Sequence, residues 1–161
     1  MISEIESCGS WLDPATGQKV EMTQIIQRIL DNKNYTVHVG TDSHRTKNTY
    51  KSHTFATVVC LYEEGKGADY YFRRITTDSQ FGSLKQRIME EVSYSVDVAL
   101  MLMKVIPSTR IVVHADVNSD PSHTTFNFLG PIRSWVSSAG FKFRCKPDSW
   151  ASSGVADKHA K

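Results

Sequence analysis

The order of the apolar runs constrains this fold more than any other feature of the chain. Three strand-like segments follow one another, Tyr35–Thr41, Lys51–Tyr62 and Asp69–Thr76, the last two joined by EEGKG, a glycine-containing hairpin connection. Helical and strand-like segments then alternate. Gly82 to Ile106 carries Leu84, Ile88, Glu91, Ser95, Val98, Leu102 and Val105 at spacings of four and three, one face of a helix that Pro107 stops. Arg110–Ala115 reads as a short apolar strand, and His123–Ala139 as a helix that Gly130-Pro131 should break or kink. Phe141–Cys145 reads as a short strand, and Ser152–Lys161 as a last helix with Ser152 or Ser153 as N-cap. Ahead of all these, Met22–Leu30 has apolar residues at helical spacing, with Thr23 as its N-cap. Three meandering strands followed by such an alternation predict an α/β fold: a mixed five-stranded sheet with helices on both faces. Tyr35–Thr41, Arg110–Ala115 and Phe141–Cys145 should be its buried parallel part.

Residues 1–33 read as an extended lead-in plus a helix, and 34–161 as a single globular unit. A chain of 161 residues buries roughly 70% of its unfolded surface, enough for a core without covalent staples. Cys8, Cys60 and Cys145 lie far apart with no CxxC pair, which fits reduced thiols in the cytoplasm. The first residues, MISEIESCGSW, lack the basic and apolar regions of a signal peptide. Every apolar stretch is broken by charge well short of a membrane span, so no membrane partner is expected. The net charge of +2 is too small to draw in nucleic acid by the whole-molecule field, so such affinity must come from a local basic surface.

The carboxylates sit where chemistry would need them. VHVGTDS places Asp42, and IVVHADVN places Asp116, just past the last apolar residue of a strand. Open α/β sheets gather functional groups at the carboxyl ends of strands where the order reverses, so neighbouring strands would bring this pair together. His38 and His114 follow four and two residues behind, on the same strand faces. Glu91 lies on the sheet-facing side of the long helix, whereas Glu90 is rotated about 100° toward solvent. Asp157, near the start of the last helix, is the fourth. Each has an alternative: Asp42 and Asp116 as turn residues, Glu91 as half of a buried ion pair, Asp157 as a charge complementing the helix dipole. Acidic oxygens without thiolates suit Mg²⁺ or Mn²⁺, and paired ions of this kind stabilise both the attacking and the leaving oxygens in phosphodiester hydrolysis.

The blocks VGTDSH, HADVNSDPSH and KPDSWASSGVADKHAK resemble those of the YkuK-type predicted ribonuclease H-like proteins. The resemblance spans roughly Tyr35 to Lys161, and its last block is the most specific. It implies a ribonuclease H-like fold with Asp42, Glu91, Asp116 and Asp157 as the metal-binding, catalytic set. TDSH stands where better-known ribonucleases H often have TDG followed by Ser, a departure that bears on hybrid recognition and not on metal binding.

Other residues fill in the picture. Lys47, Lys146 and Lys158, with Arg45 and Lys51, would give phosphate contacts around an acidic centre, or else are ordinary solvated cations. Asp148 rivals Asp157 for the last ligand position. Asn118 and Asp120 either orient a metal-bound water or build a turn. His159 is a proton shuttle or a solvent-facing residue. A zinc site from His38, His114 and His123 lacks any HxxxH or HExxH pattern. Trp135, Trp150 and Phe126 are core residues by default and base-stacking platforms otherwise. No GxSxG elbow supports a serine nucleophile, and no phosphate-cradling glycine loop supports a nucleotide hydrolase. The expected function is a two-metal nuclease acting on RNA, DNA or a hybrid. The competing expectation is a non-catalytic nucleic-acid- or protein-binding module on the same fold.

Overall fold

A computed structural model describes residues 10–46, 52–78 and 81–161. Its strands are β1 (Trp11–Leu12), β2 (Lys19–Val20), β3 (Thr36–Arg45), β4 (His53–Glu63), β5 (Gly67–Thr77), β6 (Ile111–Asn118) and β7 (Lys142–Lys146). Its α-helices are α1 (Met22–Asp31), α2 (Leu84–Leu102), α3 (Leu129–Ser138) and α4 (Asp157–Ala160), the last entered through a π-helical turn, Ala151–Ala156. Among the described residues the sheet has seven strands, in the order β2-β1-β5-β4-β3-β6-β7, rather than the expected five. The two additional strands come from the lead-in, which folds back as a hairpin of two-residue strands, β1 lying against β5, and places Trp11 in the core.

The central strand, β3, is antiparallel to β4 and parallel to β6, and β6 is parallel to β7. The expected parallel set is therefore present, but β7 is a half-exposed edge strand. The β4–β5 turn uses Gly65 and Gly67 at positive φ, the conformation glycine adopts without penalty.

Alternation along β3 decides what each side chain meets. Val37 and Val39 join the larger core, which α1, α2 and α3 cover, and Thr41 and Ser43 bond to Ser95 and Glu91 of α2 on that same face. His38, Gly40, Asp42 and His44 face the C-terminal segment, over a smaller cluster of Val58, Cys60, Phe72, Ala151 and Ala156.

Helix boundaries depart from the sequence reading for local reasons. The first helix is capped by Glu21, whose N–H donates to the Gln24 side chain at 2.8 Å, and Thr23 falls inside the helix. In α2 the buried stripe runs Ile88, Glu91, Ser95, Val98, Leu102, whereas Leu84 at its start is exposed. The helix stops at Leu102, short of the expected Ile106, so Val105 lies in the exposed turn beyond it. The helix expected over His123–Ala139 is a 3-10 turn, Thr124–Phe128, followed by α3. Pro131 does not break α3, because it sits in the first turn, where backbone N–H groups have no intrahelical partner. Ser152 and Ser153 do not cap the last helix, since both hydroxyls donate back to the Ser149 carbonyl, at 3.1 and 2.8 Å.

Candidate metal centre

Gly40 sets the geometry of the site. A Cβ there would lie 2.6 Å from Ser152 N and 2.7 Å from the Ala151 carbonyl carbon, so only glycine lets the C-terminal segment lie directly on β3. That approach carries Asp157 to the residues two and four places further along the strand. His44 Nε2 is 2.9 Å from Asp157 Oδ1 and 3.4 Å from Asp42 Oδ2, and Lys161 Nζ is 3.0 Å from Asp157 Oδ2. Ligand atoms of Asp42, His44 and Asp157 all lie within 4.8 Å of one another.

The other two carboxylates approach from neighbouring elements. Asp116 lies near the carboxyl end of β6, beside β3, where β6 bulges between His114 and Asn118. Its buried Oδ1 has no hydrogen-bond partner of proper alignment; the Lys146 ammonium, 2.7 Å away, meets it as an electrostatic contact. Glu91 comes from the opposite face on α2, buried, and accepts a 2.6 Å hydrogen bond from Ser43.

The four carboxylates act on one another. Burial, a hydrogen bond with Asp157 and the charge of Asp116 push Asp42 up to about 7, well above the usual carboxylate range. Burial pushes Glu91 up to about 8 despite its Ser43 bond, with Asp42 and Asp116 adding to the rise. Asp157 goes the other way: partial burial works against it, but hydrogen bonds from His44 and Lys161 hold it low. One carboxyl of the Asp42–Asp157 pair thus keeps a proton that the other has given up. The donor set is mostly oxygen, contains no thiolate, and crowds like charges that a divalent cation would relieve. It fits Mg²⁺ or Mn²⁺.

The remaining candidates named from the sequence separate clearly. His44, which sequence reasoning did not pick as part of the centre, belongs to it; its signal was position, two residues past Asp42 on the same strand face. His38 and His114 make a buried pair, Nδ1 to Nε2 at 2.8 Å, under the Trp150 ring, with Ala151 N–H donating to His114 Nδ1 at 3.2 Å. Burial holds them down to about 4 and about 3, so they are neutral and lock the C-terminal segment to the sheet. His123 is exposed, and among the described residues it does not come together with His38 and His114 as a metal-binding group. Asp148 is exposed in the loop after β7. Asn118 and Asp120 accept hydrogen bonds from Asp120 N and Ser122 N at 3.0 and 2.9 Å, which is turn chemistry. His159 stacks on Phe72 at 3.7 Å and bonds to Tyr70, so it is neither solvent-facing nor a shuttle at the centre. Trp135, Trp150 and Phe126 pack against the two cores. Lys158 is exposed beside Asp157, and Lys47 lies outside the described residues. Among the described residues, no helix is long and apolar enough to cross a membrane.

Comparison with known proteins bears on the fold. A sequence model of the family described as Ribonuclease H-like matches residues 20–161. The Uncharacterized protein YkuK of Bacillus subtilis (strain 168) is 26% identical over 143 residues, covering 79% of this chain and 80% of that protein. Among solved structures, the Prototype Foamy Virus Protease-Reverse Transcriptase is similar over 78% of this chain and 19% of its own, at 13% identity and a TM-score of 0.40, a likeness too weak to bear on fold or function. With a central strand that carries Asp42 between an antiparallel neighbour and a parallel one, and a family match running from β2 to the last residue, the chain belongs to the ribonuclease H-like family, of the YkuK type.

Proposed function

We propose that this protein is a divalent-metal-dependent nuclease that hydrolyses phosphodiester bonds in nucleic acid. The observation that carries the reading is the crowding of Asp42 against Asp157, with Asp116 and Glu91 in electrostatic reach, Asp42 and Asp116 lying toward the carboxyl ends of the parallel strands β3 and β6. A fold gains nothing by gathering four carboxylates at one place unless a cation or a proton is to be held there.

Asp42, Glu91, Asp116 and Asp157 would hold Mg²⁺ or Mn²⁺. Bound there, such ions would supply a water nucleophile and stabilise charge on the attacking and leaving oxygens. The chain's own residues do the rest. At about 7 and about 8, Asp42 is part protonated and Glu91 mostly protonated at neutral pH, and both would release their protons to a bound ion. His44 bridges Asp42 and Asp157 and orients both carboxylates. Lys146 neutralises Asp116 and, with Lys158 and Lys47, would meet phosphates of the substrate.

Incubating the purified protein with labelled single-stranded RNA and DNA, duplexes and hybrids, with Mg²⁺ or Mn²⁺, tests the reading. Cleavage that Asp42→Asn and Asp116→Asn each abolish, with the fold and nucleic-acid binding intact, supports it. Tight binding of a nucleic acid without metal-dependent cleavage would favour the non-catalytic binding module. Cleavage by the Asn variants at wild-type rate would place the activity elsewhere.

A further inference from the structure

The edge strand β7 reads Lys-Phe-Arg-Cys-Lys over Lys142–Lys146. Strand periodicity of two sends Phe143 and Cys145 to the larger core, which they pack against, and leaves Lys142, Arg144 and Lys146 on the other face. The row starts at the acidic centre, because Lys146 Nζ is 2.7 Å from Asp116 Oδ1. It then runs away from that centre in steps of about 6.6 Å, so Lys142 lies about 13 Å from Lys146. Arg144 and Lys142 are exposed and, among the described residues, neither joins an ion pair. Arg144 faces the sheet side that carries His38 and His114, whose protonation its charge disfavours.

At the far end the row opens into a cleft of about 960 Å³ walled by Lys142, Arg144, Arg133, Tyr62 and Phe143, where three cations outnumber the one carboxylate, Asp148. Arg133, on α3, is exposed, with its guanidinium 5.9 Å from the Phe143 ring centroid. Cations at regular steps beside a cleft that includes the half-buried Tyr62 ring have the two parts that hold an unpaired nucleic-acid strand: charges that follow the phosphates, and a ring against which a base can rest. The row is a single line along one strand edge, matched to one backbone rather than to the two of a duplex.

We infer that Lys146, Arg144, Lys142 and Arg133 form a track for the backbone of a single-stranded nucleic acid, leading from the acidic centre along β7 into the cleft beside α3. This rests on the nuclease reading for what happens at the near end of the track; binding along it does not.

The test is the salt dependence of binding. A labelled single-stranded oligonucleotide and its duplex are titrated by fluorescence anisotropy, in EDTA so that no turnover intervenes, against the wild type and the triple variant Lys142→Ala/Arg144→Ala/Arg133→Ala. All three side chains are exposed, and a thermal melt checks that the variant keeps its fold. The track requires tighter binding of the single strand than of the duplex by the wild type. It also requires a loss of at least about tenfold for the single strand in the variant. At about 0.7 counterions per phosphate contact, the slope of log K against log salt should shrink by about 2. Hydrolysis of bis(4-nitrophenyl) phosphate with Mn²⁺, a diester too small to reach the cleft, should be the same in both proteins. An unchanged slope would overturn the inference and leave the cations the sole task of keeping the sheet edge from pairing with another chain. Equal losses for single strand and duplex would overturn the choice of ligand. A wild type that hydrolyses no diester, but whose single-strand binding still depends on these three residues, would sink the nuclease reading and leave the track standing.

Discussion

A buried carboxyl that shares a proton with a second carboxyl and faces a third works against the fold that contains it whenever it must ionise. Asp42 is in that position, displaced upward to about 7 by burial, by Asp157 and by Asp116. Replacing it with Asn keeps the shape and removes the charge. Asp42→Asn should therefore leave the metal-free protein as stable as the wild type, or raise its stability by about 1–3 kcal/mol at pH 8, since a tenfold change in proton affinity is worth about 1.4 kcal/mol. Urea denaturation in EDTA measures this, and a loss of more than about 2 kcal/mol would mean that the Asp42 carboxylate is a structural ion-pair partner instead. His44→Ala belongs to the same scale. It removes the bridge between Asp42 and Asp157, so affinity for Mn²⁺ should fall about 10- to 100-fold while the melt in EDTA moves little; calorimetric titration with Mn²⁺ reads the first quantity. The nearness of Asp42, Asp116 and Glu91 was legible in the sequence from apolar runs and helix periodicity, but β3 runs on to Arg45 and β6 to Asn118, so both aspartates lie inside strands expected to stop before them. His44 was not legible, because its role appears only once Asp157 has been brought within 2.9 Å of it, and nothing local in TDSH says that a helix from the far end of the chain will land there.

At the scale of elements, the C-terminal segment is the part least specified by its own sequence pattern. Its Ser152 and Ser153 look like caps and instead bond back to Ser149, and its first six residues form a π-helical turn rather than an α-helix. What fixes it is tertiary: the Gly40 contact, Ala151 N–H on His114, and Trp150 over both histidines. Gly40→Ala would push a methyl group to within 2.6 Å of backbone that cannot move as a side chain can. The expected cost is about 1–3 kcal/mol, together with hydrogen-exchange protection lost preferentially over residues 150–160 and weaker Mn²⁺ binding as Asp157 shifts. Wild-type protection across that segment in Gly40→Ala would show that the contact does not hold it. The elements themselves were largely readable, since β3 to β7, α1 and α2 follow apolar periodicity. The departures have plain causes. Two-residue strands such as β1 and β2 are too short for a period to show, and a proline in the first turn looks like a breaker until the true start of α3, Leu129, is known.

For the whole molecule, two buried sets of titratable groups pull stability in opposite directions with pH. Asp42 and Glu91, raised to about 7 and about 8, bind protons in the folded state that the unfolded chain has released, so their contribution is complete at low pH and is lost as pH rises from roughly 4 to 8. His38 and His114, lowered to about 4 and about 3, stay neutral in the fold while the unfolded chain takes up protons below about 6.5, so their contribution is lost as pH falls below that value. The two trends offset each other between roughly pH 4 and 6.5, and above that range only the carboxylates still titrate. In EDTA the protein should thus be most stable near pH 6 and lose stability toward pH 8. Asp42→Asn should flatten that upper limb. Saturating Mg²⁺ or Mn²⁺ should reverse it, because the ion takes the ionised carboxylates and adds about 2.7 kcal/mol at a hundred times its dissociation constant. Thermal melts from pH 5 to 9, with EDTA and with each metal, decide the matter. Stability that climbs from pH 6 to pH 8 in EDTA, or that ignores both ions at pH 8, would mean that these carboxylates are not held together for a cation.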